Sequence, residues 1–261
     1  MAKPPGFWSV SGRLGPLVAT AIHDGHALRP DASPWVALDE DTRLREEDPF
    51  TASWTTAGDV RIVARQSRFE VDLNRPWDGA VYRHPDDAWG LTVWRPGVPP
   101  GVFARSLEAY DAFYAQLGRL LGRLTKRFGR VAVLDLHSYN HRRDAPDRAD
   151  DPAGSPDVNL GTSNMDRVRW ARVVGRFAAE AGRGRCGGRR VTVGENVRFE
   201  GGHMVRWIHA RFPDSVCALS VEVKKIFMDE WTGRASPAAI AEIGQILHRA
   251  AEGVREELAR A

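Results

Sequence analysis

Val131-Ala132-Val133-Leu134-Asp135-Leu136-His137-Ser138 is an apolar run of strand length that closes on a histidine. A second run, Leu17-Val18-Ala19-Thr20-Ala21-Ile22, also closes on a histidine, His23. Both are too short for a helix and lack its spacing, so they read as buried strands. Working outward, further strand-length stretches lie at residues 60–64, 69–73, 190–193 and 218–223. Long amphipathic stretches separate them. Over residues 106–128, Leu107, Tyr110, Phe113, Tyr114, Leu117, Leu121, Leu124 and Phe128 recur every three or four positions, which predicts a helix with one buried face. A second helix is expected over residues 165–181, with Val168, Val173, Val174 and Phe177 inward. Ser236-Pro237 supplies an N-cap and a first-turn proline for a final helix carrying Ile240, Ile243, Leu247, Val254 and Leu258. Residues 142–157 and 182–190, rich in Asp, Pro, Gly and Arg, read as loops. This alternation predicts an α/β fold, a mixed or parallel sheet between helices, formed by one domain over residues 1–261.

Composition narrows the function classes. The 261 residues are 43% hydrophobic and 27% charged, which excludes disordered, collagen-like and fibrous chains. No apolar run approaches a membrane span, and Met1-Ala2-Lys3-Pro4-Pro5-Gly6 lacks the apolar segment of a secretory signal, so a cytoplasmic location is expected. Cys186 and Cys217 form no CxxC pair, which excludes a zinc ribbon or a thioredoxin site, and Cys217 reads as core. A net charge of +3 is too small to imply nucleic acid. Arginine dominates the basic residues and suits bidentate binding of a carboxylate, so an anionic small substrate is favoured.

In open α/β sheets ligands bind where strands end, so His23 and His137 can converge on one crevice and share a metal. Singly, each also reads as a hydrogen-bonded or exposed histidine, and Asp135 as a carboxylate that orients an imidazole or caps a turn. Arg45-Glu46-Glu47-Asp48-Pro49-Phe50 places acids before a proline that can start a short helix. They read either as a helix cap with a solvated acidic face or as the acid completing a site of two histidines and one carboxylate, with a fourth position for water. Around residues 67–76, Arg68, Asn74 and Arg75 read as surface salt bridging or as a grip on a carboxylate through amide and forked guanidinium donors. Glu222, inside the apolar Leu219-Ser220-Val221-Glu222-Val223, needs either an ion-pair partner such as Lys224 or an Arg, or a chemical role. The Arg-Gly tract at residues 183–190 reads as a basic turn.

Five short motifs occur in order: His23-Asp24-Gly25, Asp72-Leu73-Asn74-Arg75-Pro76, Asp135-Leu136-His137-Ser138, Asn159-Leu160-Gly161-Thr162 and Arg198-Phe199-Glu200-Gly201-Gly202. Together they resemble the N-formylglutamate amidohydrolase family, over roughly residues 17 to 232. The resemblance implies a three-layer α/β/α sandwich with a mixed, mostly parallel sheet, similar to zinc carboxypeptidases and aspartoacylase and hydrolase-like in its layers. It also implies hydrolysis of a small N-acyl, chiefly N-formyl, amino acid with one divalent metal, zinc by analogy. Carried over, His23 and His137 match the metal histidines and Asp48 the family acid, with Glu47 and His26 as rivals for the third ligand. Glu222 is similar to the strand-borne general base of carboxypeptidase-like enzymes. Arg68, Asn74 and Arg75 resemble the carboxylate-binding set, and Arg206 is the candidate second anion clamp. A carboxypeptidase or larger-acyl deacylase on the same fold is an alternative, decided by loops such as residues 83–100 and 144–157. A basic RNA- or protein-binding module is the non-enzymatic alternative.

Overall fold

Residues 6–148 and 151–260 are described by the computed structural model; Met1-Ala2-Lys3-Pro4-Pro5, read above for a signal segment, lies outside them. The strands are β1 (Trp8–Gly12), β2 (Leu17–Ala21), β3 (Val60–Ala64), β4 (Val131–Tyr139), β5 (Val158–Gly161), β6 (Arg185–Cys186), β7 (Arg189–Arg190), β8 (Val193–Glu195) and β9 (Val216–Lys224). The α-helices are α1 (Glu40–Glu46), α2 (Thr51–Trp54), α3 (Pro100–Phe128), α4 (Ala171–Gly182), α5 (His203–Arg211) and α6 (Pro237–Ala259). Seven strands form one mixed sheet in the order β1-β3-β2-β4-β9-β5-β8. Its centre, β3-β2-β4-β9, is parallel. The β1 edge is antiparallel to β3, and β5 is antiparallel to β9 while pairing parallel with β8.

Strand alternation explains both the layers and the position of the crevice. Leu17 and Ala19 of β2, Leu134 and Leu136 of β4, and Leu219 and Val221 of β9 pack on one side with Phe177 of α4 and Leu247 of α6. Val18, Val131, Val133, Val216 and Ala218 pack on the other with Phe113, Leu117 and Leu121 of α3 and Ile208 of α5. Helices therefore cover both faces, as an α/β/α sandwich requires. On that second face the strands change character before they end. Val18 is followed by Thr20, Val133 by Asp135 and His137, and Ala218 by Ser220 and Glu222, all buried. Because β2, β4 and β9 are parallel, these polar halves align at one end of the sheet.

Several local expectations are corrected. Residues 69–73 form turns, not a strand, with Glu70 N–H donating to the Ser67 carbonyl and Asp72 N–H to that of Ala80. Alternation there is misleading because the intervening Glu70 and Asp72 are as buried as Phe69, Val71 and Leu73. Glu70 accepts from the Arg29 backbone N–H and pairs with its guanidinium, and Asp72 pairs with Arg68, so the acids need partners from all sides that a ladder would not supply. The helix expected from residue 165 begins at Ala171. Asp166 takes the Val168 and Arg169 N–H groups in a turn before it, and Val168 is 89% exposed. The strand expected at 190–193 is split between β7 and β8, since the Thr192 N–H and hydroxyl go to Asp157. The Arg-Gly tract is the β6–β7 hairpin, with Gly187 and Gly188 at φ 58° and 78°, values suited to its tight turn. Ser236 does cap α6, accepting the Ala239 N–H at 3.3 Å. Among the described residues no helix is long and apolar enough to cross a membrane.

Candidate active site

His23, just beyond β2, and His137, near the end of β4, bring their rings to 4.8 Å between centroids. Asp48 reaches them from the turn between α1 and α2. Its backbone N–H donates to the His23 carbonyl at 3.0 Å, and its own carbonyl accepts from the Thr51 hydroxyl at 2.7 Å. Nδ1 of His23 and Nδ1 of His137 face the same Asp48 Oδ2 at 3.3 and 3.0 Å. One possible ligand atom from each residue lies within 4.8 Å of the others, and all three side chains are buried. His23 Nδ1 makes no hydrogen bond, a costly state for a buried ring nitrogen. A cation shared with Asp48 and His137 would satisfy it, and two imidazoles with one carboxylate are a suitable donor set for a divalent ion.

Carboxylates stand behind both imidazoles. His23 Nε2 lies 2.6 Å from Asp72 Oδ1, and His137 Nε2 lies 3.0 Å from Asp135 Oδ2. Asp72 is itself held by the Asn74 N–H at 2.7 Å, Arg68 at 2.7 Å and the Tyr82 hydroxyl, and Asp135 accepts from Thr20 at 2.7 Å. Such outer partners fix ring orientation and raise ligand basicity. Burial opposes the charge on Asp72, yet the Arg68 guanidinium and His23 outweigh it and hold its carboxyl well below the usual range. Asp48 is likewise held low against its burial by His137 and His23.

The rivals for the third position turn elsewhere. Glu47 Oε2 lies 2.5 Å from His26 Nδ1, and its other oxygen accepts from the Ser67 hydroxyl. Lys225 donates to the Arg45 and Glu47 carbonyls at 2.5 and 2.9 Å, which pins the turn presenting Asp48. Burial lowers its pKa to about 8. Glu222 is in register with His137 across the β4–β9 ladder. It accepts from the Ser220 hydroxyl at 3.1 Å, has no Lys or Arg partner among the described residues, and is pushed up in pKa by burial. Lys224, the partner considered from sequence, donates to the Ser155 carbonyl at 3.1 Å.

A cavity of about 640 Å³ opens over this group, and His23, Asp48, His137, Glu222, Arg68, Asn74, Arg75 and Arg206 all line it. Asn74 also acts as a strut. Its Oδ1 accepts the Met204 N–H at 3.0 Å, and its Nδ2 lies 3.5 Å from His137 Nε2. Residues 15–228 match the model of the N-formylglutamate amidohydrolase family. A curated N-formylglutamate deformylase of Pseudomonas aeruginosa is 30% identical over 251 residues, 88% of each chain. The chain belongs to the N-formylglutamate amidohydrolase family. A second N-formylglutamate deformylase, from Pseudomonas putida, is 31% identical over 159 residues, covering 56% of this chain and 55% of its own. The fold matches the crystal structure of an N-formylglutamate amidohydrolase from Ralstonia eutropha at TM-score 0.74, 18% identity and coverage of 97% and 98%. It also matches a gene product of Agrobacterium tumefaciens at TM-score 0.69, 15% identity and coverage of 97% and 96%.

In this family member the outer shell holds what sequence reasoning missed. Asp72 looked like one residue of a half-buried strand, and Tyr82, Thr20 and Lys225 gave no local signal. The available clue was Asp72 itself, an acid between Val71 and Leu73 with no compensating charge adjacent.

Proposed function

We propose that this amidohydrolase removes the formyl group from N-formylglutamate or a closely related acidic N-formyl amino acid, using one divalent metal held by His23, Asp48 and His137. The observation that carries the reading is the buried His23–Asp48–His137 group, whose distal ring nitrogens face Asp72 and Asp135. Two nitrogens and one carboxylate favour zinc over harder, all-oxygen ions. When bound, the ion supplies Lewis acidity that polarises the formyl carbonyl and acidifies water.

The protein's own groups do the remaining work. Glu222, desolvated and beside His137, takes a proton from the attacking water and returns it to the departing amine nitrogen. Arg75 and Arg206 bind substrate carboxylate at the cavity wall and turn binding energy into alignment of the amide. Arg68 and Asn74 line the same wall but are already bonded to Asp72 and Met204, so they orient His23 and the start of α5 as well as facing substrate. Free Cys186 and Cys217 suit the reducing cytoplasm proposed as the location.

Metal analysis of purified protein, joined to formate release from N-formyl-L-glutamate, tests the reading. Near-stoichiometric metal, activity lost on chelation and restored by zinc, and loss of both metal and activity in His137→Ala are expected. Full activity in metal-stripped protein, or unchanged metal content in His137→Ala, refutes it.

A further inference from the structure

Arg75, Arg198 and Arg206 line the cavity with no carboxylate partner among the described residues. Arg75 donates to the Asp87 carbonyl at 3.4 Å, and Arg206 turns back to that of Gly201 at 3.3 Å. Arg75 also lies over a ring, that of Tyr82 at 5.8 Å, but Arg198 differs from both in having a side-chain hydroxyl as partner. Its guanidinium lies 5.5 Å from the ring centroid of Tyr139, and its Nη1 is 3.4 Å from the Ser155 hydroxyl. Both platform residues are buried, Tyr139 at 4% and Ser155 at 3% exposure. A guanidinium lying over an aromatic face and held at one nitrogen by a buried hydroxyl presents its remaining N–H groups to an anion in a fixed direction.

The backbone under Arg198 is fixed rather than loose. Asn159 Oδ1 accepts the N–H groups of Val197 and Arg198 at 3.0 and 2.9 Å, and its Nδ2 donates to the Phe199 carbonyl at 2.8 Å. Asn159 is fully buried on β5, directly opposite Glu222 in the β5–β9 ladder. Gly161 lets the wall approach the same strand, since a Cβ there would meet the Gly201 nitrogen at 2.5 Å. Arg198 is thus indexed to the strand pair that carries Glu222. Its platform Tyr139 lies two residues beyond His137 on the same face of β4, roughly 6–7 Å along the strand. Arg75, by contrast, follows the Asp72 turn, and the Tyr110 hydroxyl of α3 donates to its carbonyl at 2.9 Å. The two arginines enter from opposite walls, one reached from β3 and one from β8, on opposite sides of the central β2-β4-β9 strands.

We propose that Arg198, with Ser155 beside it and Tyr139 beneath it, is a specificity-determining residue that receives the side-chain carboxylate of an acidic N-acyl amino acid, leaving Arg75 and Arg206 for the α-carboxylate. This rests on the hydrolase reading above. Arg198 is exposed and its backbone contacts do not involve its side chain, so its replacement leaves the fold in place.

The test uses metal-loaded protein and formate release from N-formyl-L-glutamate, N-formyl-L-glutamine and N-formyl-L-alanine. Loss of a charge-assisted hydrogen bond corresponds to about 10- to 100-fold. The parent is expected to favour the glutamate substrate over its amide by about that factor in kcat/KM. Arg198→Gln should bring the ratio close to one, chiefly through KM, while leaving kcat/KM on N-formyl-L-glutamine and N-formyl-L-alanine within about twofold. Arg198→Lys should restore part of the preference. Retention of the parental ratio in Arg198→Gln, an equal loss on all three substrates, or a parent that does not distinguish glutamate from glutamine overturns the assignment while leaving the hydrolase reading intact. A parent that releases formate from none of the three overturns both.

Discussion

Acidification should uncouple the cavity wall from the sheet through His209. This residue lies near the end of α5, 6% exposed. Its Nε2 accepts the Ala218 N–H of β9 at 2.9 Å, and its Nδ1 faces Asn164 Oδ1 at 2.8 Å, so only the neutral ring with a proton on Nδ1 satisfies both contacts. Asn164 in turn underlies Gly201, where a Cβ would approach its Nδ2 to 2.7 Å. Burial lowers the His209 pKa from 6.5 to about 4. The unfolded chain therefore binds the proton first, and stability is present above pH 6.5 and lost as pH falls toward 4. Each pH unit between the two values is worth ~1.4 kcal/mol, so the full loss is about 3 kcal/mol, of which about 2 kcal/mol is gone by pH 5. His209→Gln keeps an acceptor near Ala218 and removes the titration. Urea unfolding of both proteins at pH 7.5, 6 and 5 isolates the histidine as the difference between them, because every other titrating group is shared. The parent's advantage should shrink by about 2 kcal/mol across that range. Parallel loss of stability in the two proteins would refute a buried, neutral His209.

Glu222→Gln should retain metal and lower kcat by ~10²–10⁴, read by steady-state formate release with metal analysis alongside; near-parental turnover removes it as the base. Asp72→Asn should weaken metal affinity ~10- to 100-fold in competition with a chelator, because His23 Nε2 loses its anionic partner; unchanged affinity would show that Asp72 serves only the Arg68 and Tyr82 network. Arg75→Lys preserves charge but not the planar fork and should reduce kcat/KM for N-formyl-L-glutamate by about tenfold or more; a parental value moves the α-carboxylate clamp to Arg206.

The parts of the fold legible in sequence are those governed by one-dimensional periodicity. The strands leading to His23 and His137 are legible because each joins an apolar run of strand length to an imidazole, and α3 because its apolar residues fall on one stripe. The same period misleads wherever a polar residue is buried with its partner. Glu70 and Asp72 imitate the solvent-facing positions of a strand, and Val168 fits the helical stripe although Asp166 ends the turn before it. Periodicity counts apolar positions but carries no information about where a carboxylate finds its cation.

The site shows the same division. His137 and Glu222 are in register on parallel strands and His23 follows the end of β2, so their convergence follows from the sheet once strand direction is known. Asp48, Asp72, Tyr82 and Lys225 arrive from turns, and their meeting depends on long-range contacts such as the 2.9 Å hydrogen bond from Lys225 to the Glu47 carbonyl. Between Asp48 and its neighbour Glu47, composition cannot choose. The geometry separates them because successive side chains in the turn diverge: Glu47 toward His26 and Ser67, Asp48 toward the two Nδ1 atoms and the Ser138 hydroxyl at 3.2 Å. His137 and its carboxylate Asp135 share strand β4, whereas His23 stands just past β2 and takes its carboxylate, Asp72, from a turn, so the two rings are supported independently. Asp72 can accordingly be altered without disturbing the ladder that sets His137 beside Glu222.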